Sequence, residues 1–330
     1  MLRLDSVKIE VPEEGFIWHN TSMPCTTHSE GGEVLSETYT VPKKELPFGV
    51  RSIQIRQRGN TPTAIIETSA KVLRDEYYDM LNLNTADRYI HEVNKNGYIQ
   101  FNHGLIDSGK VLTMDVTQNL QVNDKIPGYI QAMACVPITD KYNVTAYRGA
   151  GNHGIVWAGK QKTFKERQIF YDKMKDIARD TKLRTTVHAK HLKKFEGVLR
   201  VEGNFTTFKT IRKYTGTENI LGDVLNSKQH VNLQLFDKIT RSVNTVNLQL
   251  LMEWDGMKLY QVEKLEGRKN IIRALDYDMV KIQSFIKNRV NGNVSGYVRD
   301  YRLLCDELRT ERGVPDSNVL AEIRQYMLSA

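Results

Sequence analysis

Hydrophobic and polar residues alternate in several stretches of this 330-residue chain, and each such stretch predicts a strand with one buried face. Val7, Ile9 and Val11 alternate with polar neighbours, as do Ile53 and Ile55, and 63–68 forms a short run with Glu67 near its end. The period then changes. Leu73, Tyr77 and Leu81 recur every four residues, which predicts a helix over 69–81, and a second is expected from a cap at Thr85 to Gly97. Alternation returns over 110–117, where Leu112, Met114 and Val116 take one face and Thr113, Asp115 and Thr117 the other. Short strands are expected at 130–138, 143–147 and 155–158, then over the run 168–173 that holds Tyr171, with helical composition following from Asp172 to Asp180. From Val198 to Phe205 the pattern puts Leu199 and Val201 on one side and Arg200 with Glu202 on the other.

Beyond about Leu265 only helical spacing remains, over 276–288, 295–312 and 316–328. Ser295 and Asp316 are expected as N-caps, and Gly313 with Pro315 makes a stop and restart. So short a connection suits either simple packing or a helix-turn-helix that reads duplex DNA. Strands and helices mix without a βαβ repeat, so the expected class is α+β: a central, mostly antiparallel sheet flanked by helices, with a C-terminal helical segment. The expected division is a main domain over 1–264 and a helical segment over 265–330, DNA binding being one role open to the second.

Composition narrows the setting. With 40% apolar and 26% charged residues the chain reads as globular, and it has neither a membrane-length apolar run nor an apolar leader after Met1, so a cytoplasmic protein without membrane partners is expected. Cys25, Cys135 and Cys305 are scattered, which supports neither a disulfide framework nor a zinc ribbon. The net charge of +8 is concentrated: 181–214 holds Lys182, Arg184, Lys190, Lys193, Lys194, Arg200, Lys209, Arg212 and Lys213 against only Glu196 and Glu202. Such a run fits a solvated surface or a polyanion groove, and Phe205, Phe208 and Tyr214 among the cations favour nucleic acid, where bases stack on rings while phosphates meet lysines.

Tyr171 stands beside this run, two residues before Lys173. A phenol with a neighbouring ammonium and carboxylates is the equipment for attack on a DNA phosphodiester, leaving the 5′ phosphate on the tyrosine and a free 3′-hydroxyl. Asp115 and Glu202, with Glu67 as a third, would supply hard oxygen ligands suited to Mg²⁺ or Mn²⁺. His188 and His191 fit metal ligation or the basic face, and no Walker-type loop is present.

Four blocks occur in an order that resembles the replication initiators of filamentous phages, the gene II/X class, and the related initiators of rolling-circle plasmids. They are 67–73 (Glu-Thr-Ser-Ala-Lys-Val-Leu), 112–117 with Asp115, 170–173 (Phe-Tyr-Asp-Lys), and 199–202 (Leu-Arg-Val-Glu), spread over residues 60 to 215. The resemblance implies a nicking-endonuclease-like core in which Tyr171 cuts one strand at a replication origin in a bacterial host and stays linked to the 5′ end. Asp115 and Glu202 would be metal ligands, and host polymerase and helicase would be partners. The His-hydrophobe-His metal motif of the broader nicking superfamily is absent. A mobilisation relaxase shares the chemistry. A tyrosine recombinase, with Tyr326 as nucleophile, would need a His-x-x-Arg pair that the sequence lacks. The non-enzymatic alternative is a basic nucleic-acid-binding protein.

Overall fold

The computed structural model describes residues 1–19, 22–30, 33–136, 138–139, 141–149, 153–160, 166–240, 258–311 and 317–329. The strands are β1 (Leu4–Val11), β2 (Phe16–Trp18), β3 (Cys25–Glu30), β4 (Glu33–Thr40), β5 (Val50–Arg58) and β6 (Thr61–Ser69). They continue with β7 (Ile99–Phe101), β8 (Lys110–Gln121), β9 (Tyr142–Ala146), β10 (Gly154–Gly159), β11 (Glu166–Asp172) and β12 (Val198–Phe205). Ten of them form one sheet in the order β3-β4-β5-β6-β1-β8-β12-β11-β10-β9, and β2 pairs with β7 beside it. Every pairing among the described residues is antiparallel. The class is therefore α+β around a large antiparallel sheet, as the alternation implies.

The helices before β12 are α1 (Ala86–Val93), α2 (Gly104–Asp107), α3 (Ile126–Cys135), α4 (Lys173–Ala178), α5 (Thr181–Thr186) and α6 (Ala189–Leu192). After β12 come α7 (Phe208–Thr215), α8 (Leu221–Asn226), α9 (Val231–Thr240), α10 (Leu259–Ala274), α11 (Met279–Lys287), α12 (Val294–Glu311) and α13 (Ser317–Ser329). No helix among the described residues is long and apolar enough to cross a membrane.

Cross-strand partners share a face, so the register sorts the side chains. Val7, Ile9, Ile66, Met114, Val116, Val201, Phe170 and Trp157 make one continuous buried layer. Helices close over it: the Trp157 indole donates to the Met133 carbonyl of α3 at 3.3 Å, and Gln168 donates to the Asn232 carbonyl of α9 at 2.7 Å. The C-terminal helices join the same layer through Arg302, which donates to the Tyr142 carbonyl at 2.7 Å, and through the Met327 carbonyl, which accepts from Gln118 at 2.9 Å. The opposite face of the sheet is polar, and it carries Tyr171, Arg200, Glu202 and Asp115.

Two elements differ from the sequence pattern. Residues 130–138 were expected as a strand, but 126–135 are the helix α3; Ile126, Tyr129, Ile130 and Met133 also satisfy a 3.6-residue period, and Pro127 occupies the first turn, where its fixed φ is already helical. The expected helix over 69–81 forms as a 3-10 segment, Ala70–Asp79, because Arg74 adopts φ 53° and interrupts it. In the C-terminal part, α12 begins at Val294, so Ser295 lies inside the helix, while Asp316 falls outside the described residues.

Gly154 faces Tyr171 across the β10–β11 ladder, and a Cβ there would fall 2.4 Å from both the Phe170 carbonyl oxygen and the Tyr171 Cβ. Only a residue without a side chain lets these strands approach. Gly154→Val is expected to destabilise the protein by at least ~2 kcal/mol in urea denaturation. By contrast, Gly267→Ala in α10, where nothing lies within 4 Å, should be stabilising by about 0.5–1 kcal/mol.

Candidate active site

Three neighbouring strands deliver the central residues. Tyr171 on β11 is the cross-strand partner of Arg200 on β12, Glu202 lies two residues further along β12, and Asn204 beyond it is the partner of Asp115 on β8. Alternation alone places these side chains on one face. It does not say what covers them, and the cover is extensive: Arg200 is 0% exposed, Tyr171 2% and Glu202 8%.

The phenol of Tyr171 donates to Glu202 Oε1 at 2.6 Å. Lys173, the first residue of α4, is also buried and places its ammonium 3.3 Å from the same phenolic oxygen while donating to Asp176 at 2.9 Å. Asp172 sits between them because it caps α4, accepting from the Lys175 amide, which turns the chain and sends Lys173 back over the sheet. Outside, the Tyr147 ring stacks on Tyr171 with centroids 4.4 Å apart and planes 18° from parallel.

Arg200 gathers the layer beneath. Its Nη1 donates to the Tyr77 hydroxyl at 3.1 Å and its Nε to Asn119 at 3.0 Å; its guanidinium lies 3.6 Å from Asp5 and 3.8 Å from Glu202. The Tyr77 and Phe195 rings flank it, at 5.3 and 5.2 Å from their centroids. A buried guanidinium so placed is neutralised by carboxylates and rings together.

This packing sets the protonation states. Burial, reinforced by the charge of Asp5, pushes the Glu202 carboxyl up to about 7. Asp5 goes the other way: burial raises it, but Arg200, Lys173 and Lys71 outweigh that and hold it below the usual carboxylate range. Burial depresses the Lys173 ammonium, and Arg200 adds to that. Tyr171 is raised well above its ordinary value by burial and then by Glu202. Although an ammonium lies beside it, desolvation and the nearby carboxylate dominate, and the phenol holds its proton.

The expected metal ligands are not gathered into one set. Asp115 accepts from Asn204 on the same face as Glu202, whereas Glu67, on β6, pairs with Arg51 at 3.3 Å. Among the described residues no three His, Cys, Asp or Glu side chains are arranged to hold a metal ion. Magnesium and manganese, however, take one or two carboxylates and complete their shell with phosphate and water. Asp115, half-buried and not engaged by Arg200, fits that mode. His188 caps α6 and His191 lies 3.9 Å from Asp75, so both belong to the surface helices.

The basic run divides into three. Arg200 is interior. Lys182, Arg184, Lys190, Lys193 and Lys194 are exposed on α5, α6 and the turn after them, which pack Phe195 against Tyr77 and Tyr78 on the Arg200 face. Lys209, Arg212 and Lys213 are exposed on α7, which packs Tyr214 against Phe205 on the apolar face. Of the three interleaved rings only Phe208 is accessible, at 49%. Tyr326 packs its ring against Tyr129, with centroids 6.4 Å apart.

Sequence reasoning missed Asp5, Tyr77, Asn119, Tyr147 and Asp176. Asp5 was masked by a β-bulge. The alternation of Val7, Ile9 and Val11 assigns Asp5 to the apolar face, but the β1–β8 register shifts between Leu4 and Ser6, and the extra residue turns its carboxylate toward Arg200.

No protein-family model matches the chain, and neither a curated protein nor a solved structure matches it.

Two consequences for stability follow from the buried charges. Removing the guanidinium in Arg200→Met takes from Asp5 its strongest cationic partner and is expected to cost about 3–5 kcal/mol, read as a lower urea midpoint. The raised Glu202 pKa means that the folded state favours the protonated acid, so ionising it costs stability as pH climbs from the ordinary carboxyl range to about 7. Glu202→Gln should therefore gain stability relative to the wild type between pH 5 and pH 8, by an amount on the order of 3 kcal/mol.

Proposed function

We propose that this chain is a DNA-nicking and strand-rejoining enzyme of the rolling-circle initiator kind, acting on a replication origin through a covalent 5′-phosphotyrosine at Tyr171. The observation that carries the reading is the short hydrogen bond from the Tyr171 phenol to Glu202, made inside a buried cluster that also holds the Lys173 ammonium. A structural tyrosine needs one partner for its hydroxyl. Here the hydroxyl has a carboxylate poised near neutral pH on one side and a depressed ammonium on the other, which is the pattern of an acid–base site.

In this reading Glu202 is the general base. Because the phenol is held protonated in the free protein, deprotonation accompanies attack. As the Tyr171 oxygen forms its bond to phosphorus, its proton passes to Glu202; the P–O3′ bond breaks, and the proton is delivered to the departing 3′ oxygen. Lys173 and Arg200 offset the charge that develops. The reverse sequence, with a 3′-hydroxyl attacking the phosphotyrosine, rejoins the strand, and since one ester replaces another no external energy source enters. Mg²⁺ or Mn²⁺ at Asp115 would polarise the phosphate. The reading carries with it the nicking-endonuclease-like core, a bacterial host cytoplasm, and host helicase and polymerase acting at the origin. A mobilisation relaxase would use the same residues.

One observation favours a second reading, a non-enzymatic nucleic-acid binder: Tyr171 is almost inaccessible, whereas eight cations of the basic run are exposed.

Incubation with supercoiled origin DNA or single-stranded oligonucleotides and Mn²⁺, followed by denaturing electrophoresis, separates the two. Wild type is expected to form a denaturant-resistant adduct and Tyr171→Phe none, with oligonucleotide binding retained; absence of any adduct from the wild type leaves the binder. The rate of adduct formation should rise with pH through about 7, because only the ionised Glu202 can accept the proton. Glu202→Gln should lower it by roughly 10²–10⁴-fold and flatten that dependence. Asp115→Asn should lower cleavage more than binding, with a higher Mn²⁺ requirement.

A further inference from the structure

A phenol that attacks phosphorus has to be reached, and Tyr171 is buried. On its inner side Glu202, Arg200 and Tyr77 belong to the sheet and to the 3-10 segment bonded to it. Among the described residues, the ring stacked face to face on it is that of Tyr147, at 4.4 Å. Tyr147 follows immediately after β9, an edge strand that pairs with β10 alone among the described residues.

The Tyr147 hydroxyl and the residue after it, Arg148, are both held to Asp176. The Tyr147 hydroxyl donates to Asp176 at 3.3 Å, and Arg148 makes an ion pair with the same carboxylate oxygen at 3.0 Å. Arg148 is half exposed and sits at φ 53°, ψ 29°, a left-handed conformation that residues with a Cβ populate sparsely. The latch is expendable to its partner: Asp176 also accepts from Lys173 at 2.9 Å, so it keeps a cation when Arg148 leaves. A partly exposed tyrosine, a left-handed backbone and a redundant ion pair are what a displaceable cover requires.

We propose that Tyr147 and Arg148 are the DNA-admitting residues of this site. An incoming single strand displaces the Tyr147 ring and stacks a base there, while Arg148 exchanges Asp176 for the phosphate presented to Tyr171. The inference rests on the reading of Tyr171 as nucleophile. Stacking is the natural exchange, because a base offers the Tyr171 face the same flat π-surface that the Tyr147 ring offers, and a guanidinium binds two phosphate oxygens as readily as a carboxylate.

The test has one arm without DNA. Tyrosine nitration by tetranitromethane, mapped by mass spectrometry, should modify Tyr171 slowly in the wild type. In Tyr147→Ala that modification should be at least 10-fold faster, while Tyr147→Phe, which keeps the stack, stays near wild type. In the second arm, with a single-stranded oligonucleotide and Mn²⁺, Arg148→Ala should slow adduct formation by about 10²-fold and Arg148→Lys should recover part of the loss. Circular dichroism melts should be unchanged for both, since the side chain is half exposed. Unaltered nitration of Tyr171 in Tyr147→Ala, or wild-type adduct formation by Arg148→Ala, overturns the proposal and leaves the nicking reading standing. An adduct formed by Tyr171→Phe removes the nicking reading instead.

Discussion

The Arg200 guanidinium is the interaction on which the rest of this structure depends. It is fully buried, and it reaches four separate parts of the chain: Asp5 on β1, Asn119 on β8, Tyr77 on the 3-10 segment and Glu202 on its own strand. Burying a guanidinium costs several kcal/mol unless its charge and donors are met. The constraint therefore runs both ways. The surrounding elements must come together to satisfy Arg200, and once they have, Arg200 fixes where the acids around it lie. The acids it meets also divide chemically, because Arg200 together with Lys173 and Lys71 holds Asp5 ionised, while burial and the Asp5 charge raise Glu202. Asp5 keeps its charge and Glu202 is left close to neutrality.

Against that background the Tyr171 hydroxyl is a linked part of a chain that runs from Arg200 through Glu202 to the phenol, Lys173 and Asp176. Each member changes the proton affinity of the next. The ring needs space as well, and Gly154 supplies it by carrying no side chain on the facing strand. Position, protonation and access are thus set by different residues. Arg200 acts through Glu202, Lys173 lies directly on the phenolic oxygen, and Tyr147 stacks on the ring.

Much of this was legible in the alternation. The strand at 198–205 and the one containing Asp115 follow from period-two patterns, and the placement of Arg200 with Glu202 on one face follows from the same rule. The helix start after Asp172 was readable from composition. What the pattern could not convey is the layer above the polar face. A run of polar residues in a strand looks alike whether solvent or a tyrosine-rich cover lies over it, so the burial of Tyr171 and Arg200 had no local signal. Asp5 was hidden by a bulge and α3 by a stretch that satisfies both periods. The basic run was continuous in sequence yet is split in space, because β12 carries the chain through the middle of the sheet between α6 and α7.

The position of β1 in the sheet order has its own consequence for assembly. This strand, earliest of all in sequence, lies between β6 and β8, near the middle of ten. Its pairings span roughly sixty residues on one side and more than a hundred on the other. Loops of that length must close before either ladder gains anything, which slows nucleation. Until they close, the two halves of the sheet present raw edges to each other, and the carboxylate that Arg200 needs from Asp5 is missing. Completion of the sheet and assembly of the buried charge cluster are therefore one cooperative event, so a partly folded chain would hold the cationic surface helices while Arg200 still lacked its partner on β1.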